Sequence, residues 1–169
     1  TGGTYTGAEA FATGATPAVL ANTSYTLGED AVMGYQQTGV ACVDNSDQSV
    51  VAHPVSLNTG QSVTCTISND DIQPLLTLVK VVVNEDGGQA LPTDWTLTAN
   101  GDPTISGVTG DPSITNAGVT AGDFILTESG PDGYLLTSLA CVNNATPLAG
   151  NVLSIGVGES VTCVFTNDD

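Results

Sequence analysis

The 169-residue chain carries one lysine, Lys80, no arginine and one histidine, against eighteen acidic residues. Nucleophilic and basic side-chain chemistry therefore has few places to reside. Lys80 lies in the run Leu75-Leu-Thr-Leu-Val-Lys80-Val-Val-Val83, in phase with Leu76, Leu78 and Val82. Glu128 alternates in phase with Phe124 and Leu126, and Asn167 with Val161, Cys163 and Phe165. Residues two apart on a strand share a face, so the pattern aims Lys80, Glu128 and Asn167 into one apolar core. Burial drives a carboxyl toward its protonated form and an amine toward its neutral form. A neutral amine is a nucleophile, and a protonated Glu can hydrogen-bond an amide carbonyl and shuttle protons. Together the three could run one reaction: Lys80 attacks the Asn167 side-chain amide, ammonia leaves, and an isopeptide crosslink remains. The alternative has Glu128 capping a turn, Asn167 ending a strand and Lys80 snorkelling to solvent.

The elements that would position these residues occur almost twice. Tyr25-Thr-Leu-Gly-Glu29, Gly34-Tyr35 and Ala41-Cys42-Val43 return as Phe124-Ile-Leu-Thr-Glu128, Gly133-Tyr134 and Ala140-Cys141-Val142, 99 residues on. Gly60-Gln-Ser-Val-Thr-Cys65-Thr-Ile-Ser-Asn69-Asp-Asp71 returns as Gly158-Glu-Ser-Val-Thr-Cys163-Val-Phe-Thr-Asn167-Asp-Asp169, 98 residues on. Such self-similarity defines tandem modules, here expected at 1–73 and 74–169. Glu29 and Asn69 repeat Glu128 and Asn167, but the first module has no lysine. Nor does it have a counterpart of 75–100; its Thr4-Tyr-Thr-Gly7 already aligns near Thr104-Ile-Ser-Gly107, so it is expected to lack its N-terminal strands.

Apolar residues make up 40 % of the chain, in short alternating runs punctuated by Gly, Pro, Asn and Asp, with no helical period. This predicts strands at 75–83, 95–99, 119–128, 138–142, 152–155 and 161–165, with a hairpin turn at Asn84-Glu-Asp-Gly-Gly88. The fold class is all-β: two tandem small sandwiches of prealbumin or immunoglobulin-like type. Each module holds one cysteine pair, Cys42 with Cys65 and Cys141 with Cys163. Equivalent placement, no Cys-x-x-Cys and a single His favour disulfides over zinc. Closing loops of this length stabilises by roughly 3.4 kcal/mol each on the chain-entropy model, and such bonds place the chain in an oxidising compartment.

A formal net charge of -17 repels nucleic-acid phosphates and anionic lipid. No run reaches the ~18 apolar residues of a membrane span, and no signal peptide or C-terminal anchor is visible. No cofactor is expected and no catalytic triad or phosphate loop is present. His53, set against Val152 in the second module, is expected to be neither catalytic nor a ligand. Weak calcium binding at Asn84–Gly88 or at the Asp70-Asp71 and Asp168-Asp169 ends is the lesser expectation beside solvated turns. Asn22-Thr-Ser24 and Asn144-Ala-Thr146 fit the glycosylation pattern.

Leu-Val-Lys80, Leu-Thr-Glu128 with Gly133-Tyr134, and Phe-Thr-Asn167-Asp resemble the SpaA/CnaB-type, prealbumin-like repeat domains of bacterial surface proteins and pili. The resemblance covers 75–169 and the later two thirds of the first module. It implies a transthyretin-like sandwich, tandem arrangement and a Lys–Asn crosslink with Glu as helper. Lys80 and Asn167 carry over as bond partners and Glu128 as helper, with Glu29 and Asn69 an incomplete equivalent. The expected role is structural rather than enzymatic: an extracellular filament, pilus or stalk segment. A homopolymer built by strand donation to the first module, or a tandem array, would supply what that module lacks. A cell-surface adhesin is the alternative.

Overall fold

The computed structural model describes residue 14 and residues 16–169. The chain divides into two compact units: residues up to Ala31 with Gln37–Asp70, and Val32–Gln36 with Asp71–Asp169. The alignment of Thr4–Gly7 lies outside the described residues. No helix among the described residues is long and apolar enough to cross a membrane.

In the first unit, β1 (Ser24–Tyr25), β2 (Tyr35–Asp44, whose first two residues count with the second unit), β3 (Val50–Val51), β4 (Val55–Ser56) and β5 (Val63–Asp71, whose last residue does likewise) form two small sheets, ordered β1-β4 and β3-β2-β5. Cys42 and Cys65 are joined, with Cα atoms 4.1 Å apart. Among its described residues only Cys42 and Val55 are fully buried apolar side chains. On β5 the inward alternation survives as half-burial of Val63, Cys65 and Ile67.

The second unit is a sandwich. Its strands are β6 (Leu75–Val83), β7 (Thr96–Asn100), β8 (Ile105–Gly107), β9 (Ala117–Gly118), β10 (Gly122–Ser129), β11 (Leu135–Val142), β12 (Val152–Ile155) and β13 (Ser160–Asp168). They form two four-stranded sheets, β12-β10-β7-β8 and β11-β13-β6-β9. Alternating apolar positions of both sheets close one core, with Trp95, Phe124, Phe165, Leu76, Leu78 and Leu97 among its largest members. The Cys141–Cys163 disulfide ties β11 to β13, Cα to Cα 4.0 Å.

Register confirms the repeat at the level of individual pairs. Tyr25 pairs with Val55 as Phe124 pairs with Leu153, and Ser24 with Ser56 as Asp123 with Ser154. The same register matches His53 to Asn151, not to Val152. In the first unit the Leu27 N–H donates to His53 Nε2 (2.8 Å), and in the second the Leu126 N–H donates to the Asn151 carbonyl (2.8 Å).

Three further expectations are corrected. Asn84–Gly88 is not a hairpin turn: β6 and β7 belong to different sheets, so the segment crosses between layers. The strand expected over 119–128 begins only at Gly122, because 119–121 carry the chain from β9 in the β6 sheet to β10 in the other, with Gly122 at φ 156° where the layer changes. Glu29 and Asn69 do not face a core: both are exposed, and the regular strand before Glu29 ends at Tyr25. Among the described residues no strand is laid against the second edge of β5, and there the alternation has little to be buried against.

Candidate functional site

β6 is a β-branched, apolar run whose inward residues Leu76, Leu78 and Lys80 are all buried. Its one partner strand over most of its length is β13, which runs parallel with Phe165 opposite Lys80 and Asn167 opposite Val82. Asn167 is therefore the same-face diagonal neighbour of Lys80, within reach of a long side chain. The other edge of β6 meets β9 only at Leu75 and Leu76. Beyond it, the Lys80 N–H donates to Thr109 Oγ1 at 2.7 Å, satisfying the edge where pairing has stopped.

Glu128 reaches the same point from the opposite sheet. It follows Phe124 and Leu126 on the inward face of β10, beside Leu97 of β7. The Lys80 ammonium donates to Glu128 Oε2 at 2.7 Å, with the lysine side chain fully buried and the glutamate 13 % exposed. Burial lowers the Lys80 pKa below its usual 10.5, while the Glu128 hydrogen bond and charge pull the other way. Burial is the larger of these effects, so the net shift is downward, as desolvation of an ammonium requires.

Trp95 forms the floor of the site. Lys80 Nζ sits 4.8 Å from its ring centroid, a cation–π distance. The Tyr134 ring stands edge-on to the indole at 5.1 Å and 89°. Any side chain at Gly130 would strike the indole, so the backbone there packs directly against the ring.

Asn167 is 4 % exposed, and its Oδ1 has no hydrogen-bond partner. An amide oxygen left so inside a core costs about 1–3 kcal/mol. The orphaned acceptor thus lies on the strand adjoining a buried amine that is itself paired to a carboxyl.

The end of the sandwich above the site is tied down by the residues around it. The Asp169 carboxylate accepts from the N–H groups of Glu85 (2.8 Å) and Asp86 (3.2 Å) through Oδ1, and from Gly88 through Oδ2. These bonds, Gly88 foremost, hold its pKa below the usual 3.8. Tyr134 Oη donates to Asn84 Oδ1 (2.7 Å) and accepts from the Ala90 N–H (3.0 Å). The crossing segment 84–90 is thereby fastened to the residue just before β11 and the residue just after β13, the strand that carries Asn167. Among the described residues, no group of three His, Cys, Asp or Glu side chains is placed to hold a metal ion.

The structure brings Lys80 and Glu128 into contact and turns Asn167 to the same interior. Glu29 and Asn69 are not enclosed in this way. Trp95, Thr109 and Asp169 were not singled out from the sequence as parts of the site. For Trp95 a signal existed: the chain's one tryptophan falls in phase with inward Leu97 and Ala99.

Comparison with known proteins yields a family and one structural likeness. The SpaA_2 family model, described as a prealbumin-like fold domain, matches residues 1–67 and again 71–165. No curated protein matches significantly. Among solved structures, the major pilin from Streptococcus pyogenes is similar with a TM-score of 0.40 and 16 % identity, over 83 % of this chain. The chain spans 66 % of that pilin.

Proposed function

Because the chain belongs to the SpaA_2 family of prealbumin-like fold domains, we propose that it is a structural repeat segment of an extracellular bacterial filament, pilus or stalk, its second module closed by a Lys80–Asn167 amide. The observation that carries the crosslink is the buried Lys80–Glu128 pair beside an Asn167 whose carbonyl oxygen has no partner. In this reading Glu128 takes the ammonium proton and Lys80 Nζ attacks Asn167 Cγ. The Cγ–Nδ2 bond then breaks, and Nδ2 departs as ammonia with a proton supplied through Glu128. The protonated Glu128 polarises the amide oxygen that is otherwise unpaired. Each chain reacts once, so the event is maturation rather than turnover.

The surrounding features suit a secreted fibre. Two disulfides belong in an oxidising compartment, and the lone lysine is buried, leaving no exposed trypsin site. Modules bounded near residues 73 and 74 recur in tandem, and assembly proceeds by strand addition to the first of them or by continuation of the array. Calcium at the module ends is not part of this reading, since Asp169 is already occupied by backbone N–H groups.

Denaturing mass measurement of the native chain, before and after reductant, tests the crosslink. The expected mass is that of the sequence less the disulfide hydrogens and one ammonia, with the ammonia deficit surviving reductant. A mass lacking only the disulfide hydrogens defeats the reading. Glu128→Gln should keep the fold and slow the loss of ammonia by about a hundredfold or more.

A further inference from the structure

We propose that β11 is a pairing edge, at which two copies of this chain join antiparallel about a two-fold axis through Ala140. The inference stands whether or not Lys80 is joined to Asn167.

β11 is the outermost strand of its sheet, with β13 on one side and, among the described residues, no strand on the other. Folded proteins blunt such an edge with charges, prolines or brevity. This one is eight residues long and reads Leu-Leu-Thr-Ser-Leu-Ala-Cys-Val, without charge or proline. Large apolar side chains stand out at both of its ends, with Leu135 76 % and Val142 55 % exposed. Its one blunting device is the bulge between Leu136 and Ser138, which leaves Ser138–Val142 as a regular, open ladder.

The disulfide fixes which way that ladder points. Cys141 lies directly opposite Cys163, with Cα atoms 4.0 Å apart, the close spacing of a pair that exchanges no hydrogen bonds. The backbone N–H and C=O of Cys141, and of Leu139 two residues back, therefore point away from β13 to the open edge. The first unit shows what such an edge accepts. Cys42 is 4.1 Å from Cys65 in the same way, and there β3 lies antiparallel on the free side, Val51 opposite Cys42 and Val50 opposite Val43. In the second unit the segment after Val142 turns instead to bridge Ala149 with Val152, so Cys141 and Val142 keep an open side.

Charge names the occupant. No Asp, Glu, Lys, Arg or His occurs from Gly133 to Gly158, in a chain whose net charge is -17. A cationic strand gains nothing from an edge without carboxylates, and a second copy meets no like charge along it. The two ends of the edge differ. Asp168 stands opposite Leu135 and Asp132 precedes it, whereas Asn143 and Asn144 follow Val142. Antiparallel self-pairing sets the acidic end of each copy against the asparagine end of the other; parallel pairing would bring the acidic ends together. About an axis at Ala140, Leu139 of each copy faces Cys141 of the other, and the groups already pointing outward exchange N–H···O bonds. Ala140 meets its own copy where the strands approach most closely, about 4.5 Å between Cα atoms, and a methyl group is small enough to allow it. The same patch serves both copies, so the contact closes at a dimer.

Sedimentation of the intact chain from about 1 μM to about 1 mM tests the pairing. The expected mass rises from one chain to two. Ala140→Glu and Ala140→Lys each set like charges face to face at the axis and should weaken the dimer about tenfold or more. Ala140 is exposed, so the thermal transition of the second unit should be unchanged in both variants. Ala140→Lys is the decisive case, because loose electrostatic attraction between acidic chains would be strengthened by it. In hydrogen exchange the amides of Leu139 and Cys141 should slow on dimerisation. A chain monomeric throughout, which would leave the edge to a strand of another protein, overturns the proposal. So does a dimer indifferent to both substitutions, or one in which those two amides stay unprotected.

Discussion

The two units carry the same Glu, Gly-Tyr, Cys and Asn-Asp-Asp signatures and use them differently. In the second, fifteen apolar residues form a closed core, and the polar signature residues are drawn into it. In the first, the disulfide and the Tyr25–Val55 pairing are retained, yet Glu29 and Asn69 stay in solvent. The difference teaches that burial of a polar side chain is a property of the layer facing it. Alternation selects the face; only a strand such as β6 makes that face an interior.

The largest break in this comparison should come from matched truncations at equivalent positions. Phe165→Ala removes a fully buried ring and should cost about 3–5 kcal/mol. Ile67→Ala, at a half-buried position, should cost about 1 kcal/mol. Two-transition calorimetry assigns each loss to its unit, and equal losses would mean that the first core is already complete. Next in size is the removal of each disulfide. Replacing Cys42 and Cys65 by alanine, or Cys141 and Cys163, should each cost about 3 kcal/mol. The first unit, with only Cys42 and Val55 as buried apolar side chains among its described residues, should lose its transition altogether, whereas the second should shift and persist.

Smaller effects sharpen the comparison at the site. In Asn167→Ala the lysine cannot be consumed, and its folded pKa lies below 10.5. Between those two values the unfolded chain binds the extra proton, so stability should climb as pH rises toward 10.5 and be lost as pH falls through the folded value. A parent closed by the proposed Lys80–Asn167 amide would have no amine to titrate and should lack that slope in a denaturation series. The smallest effect concerns Asp169, whose pKa is held below 3.8. Its contribution is present above 3.8 and fades as pH falls through the folded value. Asp169→Asn should flatten that part of the acid limb of the second transition and leave the first untouched.

Much of the second module was legible because its constraints are local. The run Leu75–Val83 and the segment Val152–Ile155 are bounded by turn residues, and both became strands with those limits. The inward phase of Lys80, Glu128 and Asn167 followed from alternation alone. Which sheet a strand joins is decided by contacts distant in sequence. The crossing at Asn84–Gly88 therefore read as a hairpin, and the layer change before Gly122 was invisible. Asp169 was read as a solvated module end or a weak calcium ligand; its actual partners are backbone N–H groups, which no side-chain pattern records. Glu29 and Asn69 were read by symmetry with the second module, and symmetry of sequence did not carry symmetry of surroundings.

The parallel pairing of the first and last strands of the second unit has a mechanical meaning. Leu75 stands beside Ser160 at one end of the pair and Val83 beside Asp168 at the other. Tension applied through the chain before Leu75 and after Asp168 pulls the two strands lengthwise in opposite directions. Their hydrogen bonds are then loaded together in shear, instead of being opened one at a time as in a peeled hairpin. A segment built so resists stretching along its own chain, and one covalent bridge from Lys80 to Asn167 would let the pull pass from strand to strand without entering the rest of the fold.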